Sequence, residues 1–237
     1  MITALIDGDF LMYICSYQKA NTPQNTLESV INSTDTFLQE IFKVTEATHY
    51  LGFLTGSPNF RKEISPDYKA NRVKKELPEF FRDVRNHLVD NWNFTYKAPY
   101  EADDLLNMYK NDNTIIVSTD KDLLLLPGLH YNPVKKTFIS TTPEDAEKAF
   151  WSSMITGDRS DNIKGLPGRG IRYVEALLVN NVRLELSLPA LILGEYIKYY
   201  GEYSGINKFN TNYNLLKILE KPLETDSNFQ YLEPIQL

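Results

Sequence analysis

Carboxylate side chains occur in four short clusters that are spread over most of this 237-residue chain. The clusters lie in the segments LIDGD, EADD, STDKD and GDRSDN, and the candidate ligands in them are Asp7, Glu101, Asp103, Asp104, Asp120, Asp122, Asp158 and Asp161. Carboxylates repel one another and resist burial, so a site that gathers them needs cations. Oxygen ligands suit Mg²⁺ or Mn²⁺, and the three histidines lie outside the clusters, which argues against a zinc site. The clusters therefore predict a divalent-metal enzyme that acts on phosphate.

A single Asp after a strand is more often a helix cap or a turn former, and Asp104 in particular is open to that interpretation. Four clusters in one chain favour the metal site instead. Two cations about 3.5–4 Å apart could hold the attacking and leaving oxygens of an in-line phosphoryl displacement and lower the pKa of a bound water.

The elements that would position these acids are strands that alternate with helices. Short apolar runs at residues 2–6, 49–54, 93–97 and 114–118 predict strands, and residues 25–44 and 101–110 have helical spacing. Residues 130–134 and 136–140 predict a hairpin. This order favours an α/β fold with a central, largely parallel sheet flanked by helices. Ligands bind beyond the carboxyl ends of such strands, so we expect the first three clusters to converge on one edge.

A basic segment, FRKEISPDYKANR, lies at residues 60–72 and continues to Lys74 and Lys75. A charge run of this kind is usually a solvated surface. In a nucleic-acid-binding protein it would instead follow the phosphate backbone, with Tyr68 as a stacking platform for a base. Lys69 could supply positive charge to a reacting phosphate.

A glycine-rich turn, KGLPGRG, follows the fourth acidic cluster between two predicted helices. Its glycines could simply form a tight interhelical turn. Alternatively, the exposed backbone N–H groups of Gly165, Gly168 and Gly170 could hold a phosphate, and Arg169 and Arg172 would strengthen that contact. The adjacent pair Asp158 and Asp161 favours the second interpretation, because it joins an acidic group to a candidate DNA clamp.

Composition agrees with a folded enzyme: the chain is 42% hydrophobic and has a formal net charge of −6. One cysteine excludes an internal disulfide and fits a reducing compartment. No apolar stretch is long enough to cross a bilayer, and no basic region precedes an apolar one at the N-terminus. We therefore expect a cytoplasmic protein (in the host cytoplasm if it is viral) without a membrane partner.

Taken together, these motifs resemble the 5′-nuclease superfamily of 5′→3′ exonucleases and flap endonucleases, most closely the free-standing bacteriophage enzymes. The matching segments are LIDGD, FRKEISPDYKANR, EADD, STDKDL and GDRSDNIKGLPGRG, in the family order over residues 2–180. The resemblance implies a catalytic α/β domain at 1–141 with an arch or loop at about 58–92. It also implies a helical DNA-binding region at 142–237, with a helix-three-turn-helix at about 146–180.

By the same resemblance, Asp7, Glu101, Asp103 and Asp120 would surround one metal ion, with Asp104 as a further acidic candidate. Asp122, Asp158 and Asp161 would hold a second ion. Lys69 would contact the scissile phosphate with Arg61 and Arg72 beside it, and the glycine turn would bind duplex DNA and a potassium ion.

Two features depart from the family pattern. No carboxylate lies between Phe53 and Arg61, where relatives place a metal ligand, so the first site would lean on Asp9. The turn reads GRGIRYV, with Arg172 at the position of the usual lysine.

The resulting hypothesis is a structure-specific 5′→3′ exonuclease and 5′-flap endonuclease in phage replication or primer removal. It would be a monomer that acts on DNA 5′ ends, flaps and junctions, with RNA–DNA hybrids as a further candidate substrate. The alternatives are a nuclease-dead DNA-junction binder and, more distantly, a PIN-type ribonuclease.

Overall fold

The computed structural model describes residues 1–17, 26–72, 76–181 and 186–237. The chain divides into two compact units. The sheet unit contains Met1–Asn59, Lys75–Pro143 and Ile218–Leu237, and the helical unit contains Phe60–Lys74 and Glu144–Lys217.

This division differs from the predicted domains in two places. Residues 60–74 group with the helices and not with the sheet, and residues 218–237 return to the sheet unit. The return has a physical basis in two tyrosines: Tyr100 Oη accepts the N–H of Leu223 at 3.1 Å, and Tyr109 Oη accepts the N–H of Leu232 at 2.9 Å. Contacts between residues so distant in sequence are not visible in local patterns.

The strands in chain order are β1 Thr3–Asp7, β2 His49–Leu54, β3 Thr95–Tyr96, β4 Thr114–Val117, β5 Gly128–Asn132, β6 Thr137–Thr141, β7 Gly157–Asp158, β8 Ile163–Lys164 and β9 Ile235–Gln236. The helices are α1 Gly8–Ser16, α2 Leu27–Thr45, α3 Phe60–Ile64, α4 Phe81–Trp92, α5 Ala102–Tyr109, α6 Pro143–Thr156, α7 Ile171–Asn181, α8 Leu188–Tyr200 and α9 Glu202–Leu216. The alternation of strands and helices in the first half agrees with the sequence pattern.

The main sheet has the order β3-β2-β1-β4-β5-β6, with β9 paired to β2. Strands β1 to β5 run parallel, whereas β6 and β9 are antiparallel edge additions. The predicted α/β fold with a largely parallel sheet is confirmed. Strand order reverses at β1, which lies between β2 and β4, so the cleft expected at such a switch point lies at the carboxyl ends of β1 and β4.

The strand register brings the carboxyl ends to the same level. Asp7 pairs with Phe53 of β2, and Ile6 pairs with Val117 of β4. Ser118, the residue after Val117, therefore lies beside Asp7, and Thr55 comes directly after the end of β2.

Part of the predicted arch is a core helix of the sheet unit. Val84 and Leu88, one helical turn apart in α4, are fully buried and belong to the apolar cluster around β1 and α2. Hydrophobic burial holds α4 in place, so the arch prediction is wrong for residues 81–92.

The helical unit has its own apolar core, to which α6, α7, α8 and α9 contribute residues including Trp151, Met154, Val174, Ile192 and Leu215. Between α6 and α7 the chain forms the β7–β8 hairpin and the glycine-rich turn. Among the described residues of both units, no helix is long and apolar enough to cross a membrane.

Candidate functional site

Asp7 lies at the centre of the acidic edge of the sheet. It ends β1 and caps α1, and only 4% of its surface is exposed. Asp7 Oδ2 accepts the Ser118 hydroxyl at 2.6 Å, and Oδ1 accepts the N–H of Asp9 at 3.0 Å. Ser118 Oγ also accepts the N–H of Asp120 at 3.0 Å, which ties the loop after β4 to the end of β1.

The pKa of Asp7 rises from its ordinary value of 3.8 to about 7. Burial is the main cause, and the negative charges of Asp9 and Asp120 add to it; hydrogen bonds from Ser118 and from the N–H of Asp9 act in the opposite direction. A raised carboxyl pKa of this kind indicates negative charge that the protein alone leaves poorly compensated.

Asp9 connects Asp7 to the end of β2 and the start of α5. Asp9 Oδ1 accepts the N–H of Thr55 at 3.1 Å, and Oδ2 accepts its hydroxyl at 2.5 Å. Thr55 Oγ1 in turn accepts the N–H of Ala102, the first residue of α5, at 3.1 Å. Hydrogen bonds thus link the ends of β1, β2 and β4 with the start of α5, as the switch-point argument predicts.

The EADD cluster separates into side chains with different surroundings. Glu101 is the N-cap of α5 and is 8% exposed, whereas Asp103 in the first turn is half-buried. Asp104 is fully buried: its Oδ2 accepts the N–H of Glu101 at 3.1 Å and its Oδ1 accepts the N–H of Leu219 at 3.0 Å. Since both oxygens serve backbone groups, Asp104 caps α5 and anchors the C-terminal segment, and the prediction that it is a metal ligand is wrong.

Asp120 and Asp122 lie at the outer side of the same edge. Asp120 is exposed, and its Oδ1 accepts the N–H of Asp122 at 2.8 Å. Asp122 begins a short 3₁₀ helix, Asp122–Leu125, and is half-buried.

Within the part of the chain that the structure describes, no group of three or more His, Cys, Asp or Glu side chains could hold a metal ion as they are arranged. Two acids at this edge are held by neighbouring hydroxyl groups: Ser118 donates to Asp7, and Thr55 donates to Asp9. Ser118 and Thr55 were not among the predicted site residues. The available signal was their place directly after an apolar strand, where a hydroxyl can donate to a neighbouring carboxylate.

The fourth acidic cluster lies in the helical unit, in the loop of the β7–β8 hairpin. Asp158 Oδ1 accepts the N–H and the hydroxyl of Ser160, both at 2.7 Å, and so forms the turn. Asp161 contacts the basic segment instead. Its Oδ1 lies 2.7 Å from Arg72 Nη2, and its Oδ2 lies 3.5 Å from Lys69 Nζ.

Tyr68 is only 3% exposed and packs in the core of the helical unit, where its hydroxyl donates to Asp161 Oδ2 at 2.8 Å. A ring buried among apolar side chains cannot stack on a base, so the prediction of a stacking platform is wrong. Hydrophobic burial outweighed the basic character of the surrounding sequence.

Arg61 is also buried, with 3% of its surface exposed. Its Nε donates to Leu215 O at 3.0 Å and its Nη2 to Lys217 O at 2.8 Å, so the guanidinium binds carbonyls at the C-terminal end of α9. A cation is favoured at that end of a helix. Arg61 thus has a structural role, and the predicted place beside a scissile phosphate is wrong for it. Lys74 and Lys75 lie outside the described residues.

The glycines of the glycine-rich turn differ in the space around them and in their backbone conformation. A Cβ on Gly165 would lie 2.2 Å from the backbone oxygen of Ile155, so this position serves close packing. Gly168 has φ +71°, and Gly170 faces open space. Arg169 lies over the ring of Tyr173 at 4.2 Å, and Arg172 is exposed in the first turn of α7.

Comparisons with known proteins agree with these observations. The family model described as 5′-3′ exonuclease, N-terminal resolvase-like domain, matches residues 3–151. A 5′-3′ exonuclease of Mycoplasmopsis pulmonis is 28% identical over 206 residues, which cover 79% of this chain and 69% of that protein. Flap endonuclease Xni of Aliivibrio salmonicida is 25% identical over 232 residues, covering 84% and 88%. The T5 D15 protein, co-crystallized with metal ions, has a similar fold, with a TM-score of 0.67, 18% identity and coverage of 91% and 90%.

Proposed function

This chain belongs to the 5′-3′ exonuclease family and is a nuclease that hydrolyses DNA, and on that premise we propose that it is a metal-dependent 5′→3′ exonuclease and 5′-flap endonuclease. The observation that carries the proposal is the convergence of Asp7, Asp9 and Asp120 at the switch point of the sheet, connected through Ser118 and Thr55 to the start of α5.

The donor chemistry of this edge fits Mg²⁺ or Mn²⁺. The acidic groups supply oxygen ligands only. The pKa of Asp7 is raised, mainly by burial and further by the charges of Asp9 and Asp120. A cation there would offset that charge, polarise the scissile phosphate and lower the pKa of a water. The carboxylates would first have to turn toward it, since their present arrangement does not form a closed site.

The first ion would be held by Asp7, Glu101, Asp103 and Asp120, with Asp9 supplying the carboxylate that is absent between Phe53 and Arg61. Thr55 would orient Asp9 for this purpose through its N–H and its hydroxyl. Asp122, at the same edge of the sheet unit, would contribute to a second ion.

Lys69 and Arg72 would provide positive charge for the phosphate next to the cleaved bond. Arg72 has a 57% exposed side chain and Lys69 a 21% exposed one, in contrast to the buried Arg61. The N–H groups after Gly168 and the exposed Arg172 would bind the duplex backbone through a helix-three-turn-helix, with K⁺ at the same turn. Contacts of this type do not read sequence, so recognition would depend on 5′ ends, flaps and junctions, including those of RNA–DNA hybrids.

We further place this activity in phage DNA replication or primer removal, in the host cytoplasm and as a monomer. This assignment follows from the resemblance of the motifs to free-standing phage enzymes.

The decisive experiment is cleavage of a 5′-labelled flap substrate with Mn²⁺, Mg²⁺ or EDTA. Asp120→Asn should abolish cleavage and leave DNA binding in EDTA within about twofold, because it removes one ligand charge at an exposed position. Asp112→Asn, also exposed and in the same unit, is the matched control with the same change in charge. Full activity of Asp120→Asn would refute the metal assignment.

The same assay distinguishes the alternative of a nuclease-dead junction binder, which the missing carboxylate after β2 left open in the sequence. That alternative predicts tight flap binding without any Mn²⁺-dependent product. Cleavage of an RNA hairpin but not of the DNA flap would favour the more distant possibility, a PIN-type ribonuclease.

A further inference from the structure

Residues 65–72 of the basic segment are attached to the β7–β8 hairpin loop by hydrogen bonds at several points. Asn71 Nδ2 donates to Arg159 O at 2.7 Å, and Asn162 Nδ2 donates to Asp67 O at 2.8 Å. All of these residues lie in the helical unit. The loop and the segment are therefore one assembled substructure, although 90 or so residues separate them in sequence.

Asp161 supplies most of the attachment. Its carboxylate contacts the Tyr68 hydroxyl at 2.8 Å, Arg72 Nη2 at 2.7 Å and Lys69 Nζ at 3.5 Å, while its backbone oxygen accepts the Lys69 N–H at 2.9 Å. Asp161 thus contacts three side chains of the YKANR motif, those of Tyr68, Lys69 and Arg72.

The surroundings make the contacts of Asp161 with Lys69 and Tyr68 stronger than ordinary surface contacts, whereas the Arg72 side chain is 57% exposed. The side chains of Asp161 and Lys69 are 16% and 21% exposed, and Tyr68 is 3% exposed. Charges that are partly removed from water interact more strongly than solvated ones. Lys69 has φ 57°, a left-handed conformation that costs a residue with a Cβ about 1 kcal/mol unless its surroundings hold it.

We propose that Asp161 is a positioning residue for the basic segment, whose carboxylate and carbonyl set the orientation of Lys69 and Arg72 toward the phosphate. This inference rests on the proposed nuclease function, and it differs from the role of metal ligand that the sequence pattern predicts for Asp161. The Asp161 carboxylate lies between a lysine and an arginine, where a phosphate group could also bind. It therefore holds the two cationic side chains in an arrangement that suits a phosphate. Preordering of this kind raises the rate of the chemical step.

Two variants test the proposal, because Asp161→Asn removes the negative charge of the ion pair and Arg72→Gln removes its positive charge. The asparagine keeps the size of the side chain and can still accept the Tyr68 hydroxyl, but it removes the charge. We expect amide hydrogen exchange of residues 65–72 in EDTA to become about tenfold faster in each variant, the factor for losing one charge-assisted hydrogen bond. The double variant should exchange no more than about twofold faster than either single one, because both break the same contact.

Two further measurements separate positioning from metal binding. Mn²⁺ binding, followed as the free ion by electron paramagnetic resonance, should be unchanged within about twofold in Asp161→Asn. On the flap substrate, kcat should fall by about tenfold or more while KM changes little. Asp67→Asn removes an exposed carboxylate from the same segment and is the matched control for exchange.

Weaker Mn²⁺ binding by Asp161→Asn with unchanged exchange of residues 65–72 would overturn the proposal and establish Asp161 as a metal ligand. Additive exchange effects of the two single variants would also overturn it. Because exchange and Mn²⁺ binding need no turnover, a wild-type protein without nuclease activity would refute the proposed function and leave the exchange result to be judged separately.

Discussion

Asp7→Asn should stabilise the metal-free protein at neutral and alkaline pH. The asparagine keeps the shape of the side chain, and its carbonyl can accept one of the two donors, Ser118 Oγ or the N–H of Asp9, that the carboxylate now accepts. What it removes is a negative charge that burial and the charges of Asp9 and Asp120 make unfavourable.

The magnitude follows from the difference in pKa between the folded and unfolded states. The pKa of Asp7 is about 7 in the folded protein against an ordinary value of 3.8, a difference of about three units, and each unit corresponds to about 1.4 kcal/mol. Because the folded-state pKa is raised, the folded protein retains the proton more strongly than the unfolded chain. The contribution of Asp7 to stability is therefore most favourable below about pH 4, falls as the pH rises toward 7, and is constant above that value. The full loss is about 4 kcal/mol, and Asp7→Asn should avoid it.

The assay is urea unfolding in EDTA between pH 4 and pH 8. Trp92 lies in the sheet unit and Trp151 in the helical unit, and the chain has two tryptophans, so a Trp151→Phe background makes fluorescence report on the sheet unit. Asp112→Asn is the matched control for charge, and we expect it to change stability by less than about 0.5 kcal/mol at every pH. A difference between Asp7→Asn and the wild type that stays constant from pH 4 to pH 8 would contradict the burial argument. Added Mn²⁺ should restore stability to the wild type above pH 7 and have a smaller effect on Asp7→Asn.

Substitutions at Arg61, Tyr68 and Gly165 in the helical unit test the roles assigned above, with a substitution at Gly170 as a control. Arg61→Met should lower the free energy of unfolding by about 3 kcal/mol, because carbonyls at the end of α9 lose a charged donor. A Trp92→Phe background makes fluorescence report on Trp151 and the helical unit, and an unchanged value would show that the guanidinium is dispensable. Tyr68→Phe should cost about 1 kcal/mol in unfolding titrations and leave single-stranded DNA affinity within twofold, whereas a stacking residue would lower that affinity more than fivefold. Gly165→Ala should lower the free energy of unfolding by more than about 2 kcal/mol in the same titrations, because its Cβ would lie 2.2 Å from a backbone oxygen of α6. Gly170 faces open space, so Gly170→Ala should change the free energy of unfolding by less than about 0.5 kcal/mol. Equal effects of the two variants would refute the packing argument.

Local patterns predicted the elements of the sheet unit well. The apolar runs at residues 2–6, 49–54 and 114–118 correspond to β1, β2 and β4, and the predicted hairpin corresponds to β5 and β6. Parallel strands buried on both faces leave continuous apolar runs in a sequence, and an acid directly after such a run must lie at the carboxyl edge. The convergence of the first and third acidic clusters could therefore be predicted from the residue types and from the position of each acid directly after a strand of a parallel sheet.

The roles of individual polar residues were decided by contacts across long sequence separations. Asp103 and Asp104 are adjacent acids in one motif. Asp103 is half-buried beside the acidic edge, whereas both carboxylate oxygens of Asp104 accept backbone N–H groups, those of Glu101 and Leu219. Thr55 lies where the sequence lacks an expected carboxylate, and only the fold shows that it holds Asp9.

The basic segment shows most clearly what the sequence determined and what the tertiary structure decided. Its sequence determined that it would carry positive charge, and the resemblance to 5′-nucleases rested on it. The tertiary structure decided which of those charges remain available: Arg61 is buried against the end of α9, whereas Lys69 and Arg72 are paired with Asp161 near the surface. A sequence records which donors and acceptors exist, but burial and partners depend on which distant residues the folded chain brings within hydrogen-bond distance.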